Sequence, residues 1–314
     1  MRFEIVKCHG SGNDFPLIDA RALTLTDDQW SIVARALADR SGPVGGDGLL
    51  LIENRTDTDL FSMRMMNVDG SEAETCLNGL RCVARAGFEA LGVNEATVGL
   101  KTSRADVRLD PPLAPGVVTV RETVGPADLD VSRWPLAGAS RIVEAAIPAL
   151  VSARLFTAIA MPNPHLVSFV DAVDDAELSA VGALCEDAPA WLPNRANVSF
   201  IEQRGADLFV RTFERGVGLT NSCGSAMAAS TFAACLTGRL AFDTALRVFN
   251  RGGMVRAMAT SAGMVTLSGN ATFEWRGSVA VDLVTGQASD LIITERRDDE
   301  IAAWAAVIAG LAAG

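Results

Sequence analysis

The sequence predicts an α+β protein built as two similar lobes, and three observations carry that prediction. Short apolar runs bounded by Gly, Asn and Asp recur along the chain, as expected of strands closed by turns. Helical periodicity appears only in isolated segments between them, and the many short turns favour mostly antiparallel pairing. The two halves also echo each other at a fixed offset of 147 residues, which pairs Arg64 with Arg211, Met66 with Phe213, Asn67 with Glu214 and Cys76 with Cys223.

Taken in order, FEIVKC (3–8), FPLIDA (15–20), GLLLIEN (48–54) and FSMRMMNV (61–68) read as strands. GLRCVARAGFEALG (79–92) reads as a helix, because Leu80, Val83, Ala84, Phe88 and Leu91 recur at helical spacing and Gly92 supplies a stop. VGLKTSRADVRLD (98–110) reads as a hairpin, and PPLAPG breaks the pattern. The second half repeats the grammar. VTVRE, ARLFTAIA and HLVSFVDA read as strands, DDAELSAVGALCED (174–187) as a helix, NVSFIEQ and DLFVRTFE as strands, and SAMAASTFAACLTG (225–238) as a helix ending at Gly238. More strands follow from 245 to 284. DDEIAAWAAVIAGLAAG (298–314) reads as an amphipathic helix with Ile301, Trp304, Ile308 and Leu311 on one face.

Composition narrows the function classes. At 314 residues, two domains of roughly 150 residues are expected. With 49% apolar and 21% charged residues the chain is globular in composition, not disordered. A formal charge of −11 argues against a nucleic-acid partner. No apolar run approaches the ~20 residues of a membrane span, and MRFEIVKCHG lacks the apolar centre of an export signal. The expectation is a cytoplasmic protein with reduced thiols and no membrane partner.

The six cysteines therefore read first as small buried hydrophobes. Cys76 and Cys223 are exceptions, because a helix starts within a few residues of each and they sit at equivalent points of the repeat. A thiol there lies at the positive end of the helix dipole, among unpaired backbone N–H groups, which favours thiolate. Small residues follow each: LNG at 77–79 and GSA at 224–226. Two such helix starts could hold a carboxylate while one sulfur removes a proton from the adjacent carbon and the other returns one. GPVGGDG (42–48) lacks the GK[ST] of a phosphate loop, and GVGLTNSCG (216–224) is a weak dinucleotide fingerprint.

The stretches HGSGNDF (9–15), GGDGLLLIE (45–53), MRMMNVDGSEAETCLNGLRC (63–82), NPH (163–165), PNRANVSF (193–200) and RTFERGVGLTNSCGSAMAA (211–229) resemble diaminopimelate epimerase, in that family's order and as far as about residue 285. The resemblance implies two pseudo-symmetric lobes, each a mostly antiparallel, barrel-like sheet around a central helix. It implies cofactor-independent interconversion of LL- and meso-diaminopimelate on the route to lysine, with no metal. Cys76 and Cys223 match the catalytic acid/bases. Asn13, Asn67, Asn163, Asn197, Glu214 and Arg215 match substrate-holding positions. Asn78, Gly79, Gly224 and Ser225 fall in the helix-end segments that grip the reacting carboxylate, and His165 matches a supporting polar residue. The lobes implied are 1–122 with about 272–285, carrying Cys76, and 123–271, carrying Cys223. Residues 286–314 form a C-terminal extension, and a homodimer is the expected assembly. Leu77 stands where the family usually has Gly and Leu219 where it usually has Glu. These changes leave open a related pyridoxal-phosphate-independent racemase acting on another amino acid.

Overall fold

In the computed structural model, which describes residues 1–54, 60–134, 136 and 139–312, the chain divides into two units. The first comprises Met1–Glu122 with Ser268–Gly314, and the second Thr123–Leu267. The first unit contains strands β1 (Arg2–Gly10) and β2 (Asn13–Asp19), helix α1 (Asp27–Ala38), β3 (Gly48–Glu53), β4 (Phe61–Asn67), α2 (Leu77–Leu91), β5 (Glu95–Gly99) and β6 (Arg104–Asp110). Strand β7 (Thr119–Val124) leads into the second unit. That unit carries β8 (Ala145–Ala146), β9 (Leu155–Ala160), β10 (Pro164–Phe169), α3 (Asp175–Glu186), β11 (Asn197–Arg204), β12 (Asp207–Glu214), β13 (Gly218–Thr220), α4 (Gly224–Leu236), β14 (Leu246–Asn250) and β15 (Gly253–Ala259). Strand β16 (Val265–Asn270) returns the chain to the first unit, which ends in β17 (Thr272–Asp282), β18 (Gln287–Arg296) and α5 (Asp298–Ala312).

The echo read from the sequence extends to topology. In the first unit β1 pairs antiparallel with β2, β2 parallel with β3, β3 antiparallel with β4, β4 parallel with β5, and β5 antiparallel with β6. In the second unit β9, β10, β11, β12, β14 and β15 follow the same sequence of pairings. The sheets are mostly antiparallel, as expected. Each parallel step is made by a crossover through a helix, as parallel strands require.

Each unit wraps its sheet around one helix. Helix α2 packs against all six strands β1 to β6, and α4 against β9, β10, β11, β12 and β15. Every residue of α4 from Gly224 to Cys235 is buried. Its run of Ala, Ser and Gly lets strands close in on all sides. Gly87 does the same in α2, since a Cβ there would stand 2.4 Å from the Phe61 ring. The second helix of each unit, α1 or α3, covers the outside. Trp30, Val33 and Leu37 of α1 join Phe3, Ile5, Ile18, Leu49, Leu51 and Trp275 in one core, and Leu178, Val181 and Cys185 of α3 join Phe156, Leu166, Val198 and Phe200 in another. Each such large apolar side chain contributes about 1.5–3 kcal/mol on burial.

The repeated arginines tie these layers. Arg64 on β4 reaches Asp27, the first residue of α1, and Arg211 on β12 reaches Asp175, the first residue of α3. In both cases a strand cation meets an acidic residue at a helix N-terminus, where the dipole favours negative charge.

Helix α1 was not expected from the sequence. Its start carries a full capping box, with Thr26 bonded to the Gln29 amide and the Gln29 side chain bonded back to Thr26. Strand β18 is likewise new, over residues the sequence reading assigned to no element. It pairs with β17, which pairs with β1. Helix α5 forms where a C-terminal helix was expected. It packs on β17, with Trp304 buried and Glu300 held by Arg85 of α2.

Candidate active site

The first thiol is set by a hairpin and a helix start. Ser11 and Gly12 both have positive φ (52° and 77°) and join β1 to β2 as a two-residue turn, with Gly10 opposite Asn13. A Cβ at Gly10 would lie 2.5 Å from the Asn78 carbonyl oxygen, so glycine lets this turn abut the start of α2. Cys76 is the N-cap of α2, and its Sγ accepts the Gly79 N–H at 3.4 Å. Cysteine here does what serine or aspartate does at most helix starts. A side chain at Gly79 would meet Leu50 at 2.7 Å and the Cys76 sulfur at 3.4 Å.

Around that sulfur the structure gathers Asn13, Asn78 and Gly79. The Cys76 thiol faces Asn13 Oδ1 at 3.9 Å, and Asn78 Nδ2 donates to the same oxygen at 3.4 Å. Asn13 Nδ2 donates to Asp47. Behind Asn78 lies fully buried Arg81, which donates to Asn78 Oδ1 at 2.8 Å, to Glu122 at 2.7 Å and to Ser11 Oγ at 3.2 Å. Burial pushes the Glu122 carboxyl up to about 7 against the opposing pull of Arg81. Asn67 lies at the end of β4 opposite Gly48, with Nδ2 on Ser71 Oγ at 3.0 Å.

The second thiol repeats the placement and changes the chemistry. Cys223 is the N-cap of α4 without a side-chain cap bond, and its sulfur lies 3.5 Å from Ser225 Oγ. Gly224 and Ser225 form the first turn. A separate polar group gathers at the ends of β10, β11 and β12. His165 stands opposite Asn197 in the parallel β10–β11 pair, and its Nε2 lies 3.0 Å from Asn163 Oδ1 and 3.5 Å from Asn197 Nδ2. Asn197 Oδ1 accepts the Arg215 backbone N–H at 2.8 Å, and the Arg215 guanidinium donates to the Asn194 carbonyl. Glu214 ends β12 as Asn67 ends β4. Burial, reinforced by Arg215, pushes His165 down to about 3, so its imidazole is neutral.

The other cysteines are a different population. Burial raises the thiols of Cys8 and Cys235 and pushes Cys185 up to about 12, while Cys82 is fully buried. Leu77 is buried in the first turn of α2, and Leu219 is 36% exposed on β13. Among the described residues no cluster of three or more His, Cys, Asp or Glu is arranged to hold a metal ion, and no helix is long and apolar enough to cross a membrane. Sequence reasoning did not single out Asp47, Arg81, Glu122 or Ser11. Ser11, Asp47 and Arg81 lie within the recognisable stretches and Glu122 lies outside them, and nothing in a residue string marks an arginine as buried.

Comparison with known proteins bears on this arrangement. The family model described as diaminopimelate epimerase matches residues 5–110 and 157–274. A diaminopimelate epimerase of Clostridium acetobutylicum is 37% identical over 290 residues, covering 90% of this chain and 87% of that one. One from Enterococcus faecalis is 36% identical over 315 residues, covering 96% of each. Among solved structures, a predicted epimerase from Pseudomonas aeruginosa superposes with a TM-score of 0.66 at 14% identity, over 89% of this chain and all of that one. A probable proline racemase from Agrobacterium radiobacter gives 0.64 at 12%, over 89% and 93%. At such identities these two speak for the fold alone. The family match and the curated relatives decide membership: the chain belongs to the diaminopimelate epimerase family.

Proposed function

We propose that this protein interconverts LL- and meso-diaminopimelate, with Cys76 and Cys223 as a two-base pair. One observation carries the reading: in two units of the same topology, a cysteine occupies the N-cap of the buried central helix. In each direction one sulfur, as thiolate, takes the α-proton. The other, as thiol, gives a proton to the opposite face of the same carbon, so configuration inverts and the two sulfurs exchange protonation states. First-turn amides at 77–79 and 224–226 stabilise the charge that develops on the α-carboxylate. No cofactor is required by this chemistry.

The distal amino acid head is read by Arg215 with Asn67, Asn163 and Asn197, in a planar, bidentate way that suits a carboxylate. His165 supports that set as a neutral hydrogen-bonding group. The same reading makes the protein a cytoplasmic homodimer on the route to lysine. A racemase for an apolar amino acid is the alternative that Leu77 and Leu219 suggest.

The test is exchange of the α-proton in D2O with a panel of amino acids, for the wild type, Cys76→Ala and Cys223→Ala. Inversion of diaminopimelate is expected to vanish in both variants, since each loses the acid/base of one face. Near wild-type inversion by either would overturn the two-base reading. Faster exchange of an apolar amino acid than of diaminopimelate would move the substrate to the alternative.

A further inference from the structure

We infer that Asp47 is a positioning residue for Cys76: it fixes the Asn13 side-chain amide so that its oxygen, not its nitrogen, faces the thiol. The inference rests on Cys76 being one of the reacting thiols. It comes from following donors and acceptors along one chain of contacts. Arg81, which only donates, gives to Asn78 Oδ1, so the Asn78 nitrogen is turned toward Asn13. Asp47, which as a carboxylate only accepts, takes the Asn13 nitrogen. The Asn13 oxygen is thereby left facing Asn78 Nδ2 and the Cys76 sulfur together. Flipping the amide would set its oxygen against a carboxylate and its nitrogen against another nitrogen donor. The orientation is thus determined from both ends.

The ends are themselves anchored. Asp47 is held by Arg40 and also accepts the Asp14 N–H at 3.1 Å. Asp14 in turn is paired with Lys7 and Arg40. Arg81 is neutralised by Glu122 inside the unit. These are the charged groups along the chain of contacts that ends at the sulfur, and Arg40 and Asp47 form its surface end, with side chains 58% and 38% exposed.

An oxygen facing the sulfur accepts from S–H and so favours the thiol, while the Gly79 N–H donates to sulfur and favours the thiolate. The two contacts oppose each other and hold Cys76 able to act both as acid and as base, which a reversible inversion requires of each thiol. With the acceptor at 47 removed, only Asn78 Nδ2 still holds the Asn13 amide, so Asn13 turns its nitrogen to the sulfur more often and the balance moves toward thiolate.

The experiment compares Asp47→Ala with Asp47→Asn. Both lose the charge, but only alanine loses the acceptor, because an asparagine oxygen still takes the Asn13 nitrogen. The readout is the pH dependence of Cys76 alkylation by iodoacetamide, followed on the Cys76 peptide by mass spectrometry in the full-length, substrate-free protein. The alkylation midpoint of Asp47→Ala is expected about one pH unit below that of Asp47→Asn, equivalent to about tenfold more thiolate at a given pH. Asp47→Leu also offers no acceptor, serves as the second variant, and is expected to follow alanine. Equal midpoints in the alanine and asparagine variants would overturn the inference, leaving only a through-space effect of charge. Because no substrate is present, a protein inactive on diaminopimelate would still report. Retention of inversion by Cys76→Ala would defeat the functional reading while leaving the midpoints interpretable.

Discussion

Replacing His165 by Gln should remove a specific part of the protein's acid sensitivity. His165 is fully buried and held down to about 3, so the folded protein keeps it neutral, whereas the unfolded chain takes a proton below about 6.5. A group depressed on folding contributes stability that is complete above the unfolded value and is lost as pH falls toward the folded one. At pH 5, about 1.5 units below the unfolded value, the loss is about 2 kcal/mol, at about 1.4 kcal/mol per unit. His9, lowered to about 4 by burial, adds a loss of the same sign in the first unit. Glu122 acts in the opposite sense: its raised carboxyl binds a proton in the folded state, so its penalty is relieved between about 7 and the ordinary carboxylate range. Both contributions are common to wild type and variant, so only the difference between the two proteins isolates His165. The assay is urea unfolding followed by tryptophan fluorescence at pH 7 and pH 5. The wild type should lose about 2 kcal/mol more than His165→Gln between these pH values. Equal losses would refute the argument and mean that the folded protein protonates His165 after all. The same reasoning expects no limb near pH 6.5 from His165 in the activity profile.

Gly79→Ala should separate rate from stability. The new methyl meets Leu50 and the Cys76 sulfur, an overpacking worth about 1–3 kcal/mol that the helix preference for Ala partly offsets. A shift of the sulfur by about 1 Å is enough to slow α-proton exchange about 100-fold. Gly87→Ala, whose methyl meets the Phe61 ring at 2.4 Å, should cost more stability and leave exchange by the folded protein unchanged. A thermal melt and the D2O assay on both variants decide this, and a wild-type rate in Gly79→Ala would sink it. Arg215→Lys should impair diaminopimelate turnover at least tenfold, because an ammonium cannot reproduce the planar fork. It should scarcely affect any mono-amino acid that the protein turns over, and equal loss on both substrates would remove Arg215 from the distal head.

The elements easiest to read in the sequence were those whose burial has one period. Helix α2 announces itself through Leu80, Val83, Ala84 and Phe88, and its Gly92 adopts the left-handed conformation that ends helices. Helix α1 was not read although Trp30, Val33, Ala34 and Leu37 recur at helical spacing and are all buried. Its start was marked as well, by the Thr26–Gln29 capping box. Strand β18 escaped because it is an outer strand with mostly exposed side chains, so no alternation of polarity marked it. The parallel steps were hidden for another reason, since pairing direction depends on which connections cross over and not on strand composition. Within the candidate site, the two cysteines were legible from their place ahead of two helices, whereas the asparagines at 13, 67, 163 and 197 were legible only through the resemblance of the stretches that hold them. Residues that act through hydrogen-bond polarity, such as Asp47 and Arg81, became visible only when partners had distances.

The internal repeat makes one further distinction possible, between what the fold needs and what the site needs. Arg64 and Arg211 recur at the 147-residue offset and perform the same tie between strand and outer helix, so they belong to the scaffold. Arg81 does not recur: its counterpart 147 residues on is Ala228, at the same turn of a helix with the same surroundings of strands. The topology is therefore satisfied by a methyl group at this position. A fully buried Arg81–Glu122 pair carries a desolvation penalty that packed apolar side chains avoid, so burial alone gives no reason to keep it. What Arg81 does that Ala228 cannot is fix the Asn78 amide and, through it, the Asn13 oxygen beside Cys76. At Ala228 the corresponding helix start has Ser225 beside Cys223, a hydroxyl that rotates to give or accept and needs no anchor behind it. The two thiols thus share a backbone position and differ in the side chain set beside them, an amide oriented by paired amides next to Cys76 and a hydroxyl that can rotate next to Cys223.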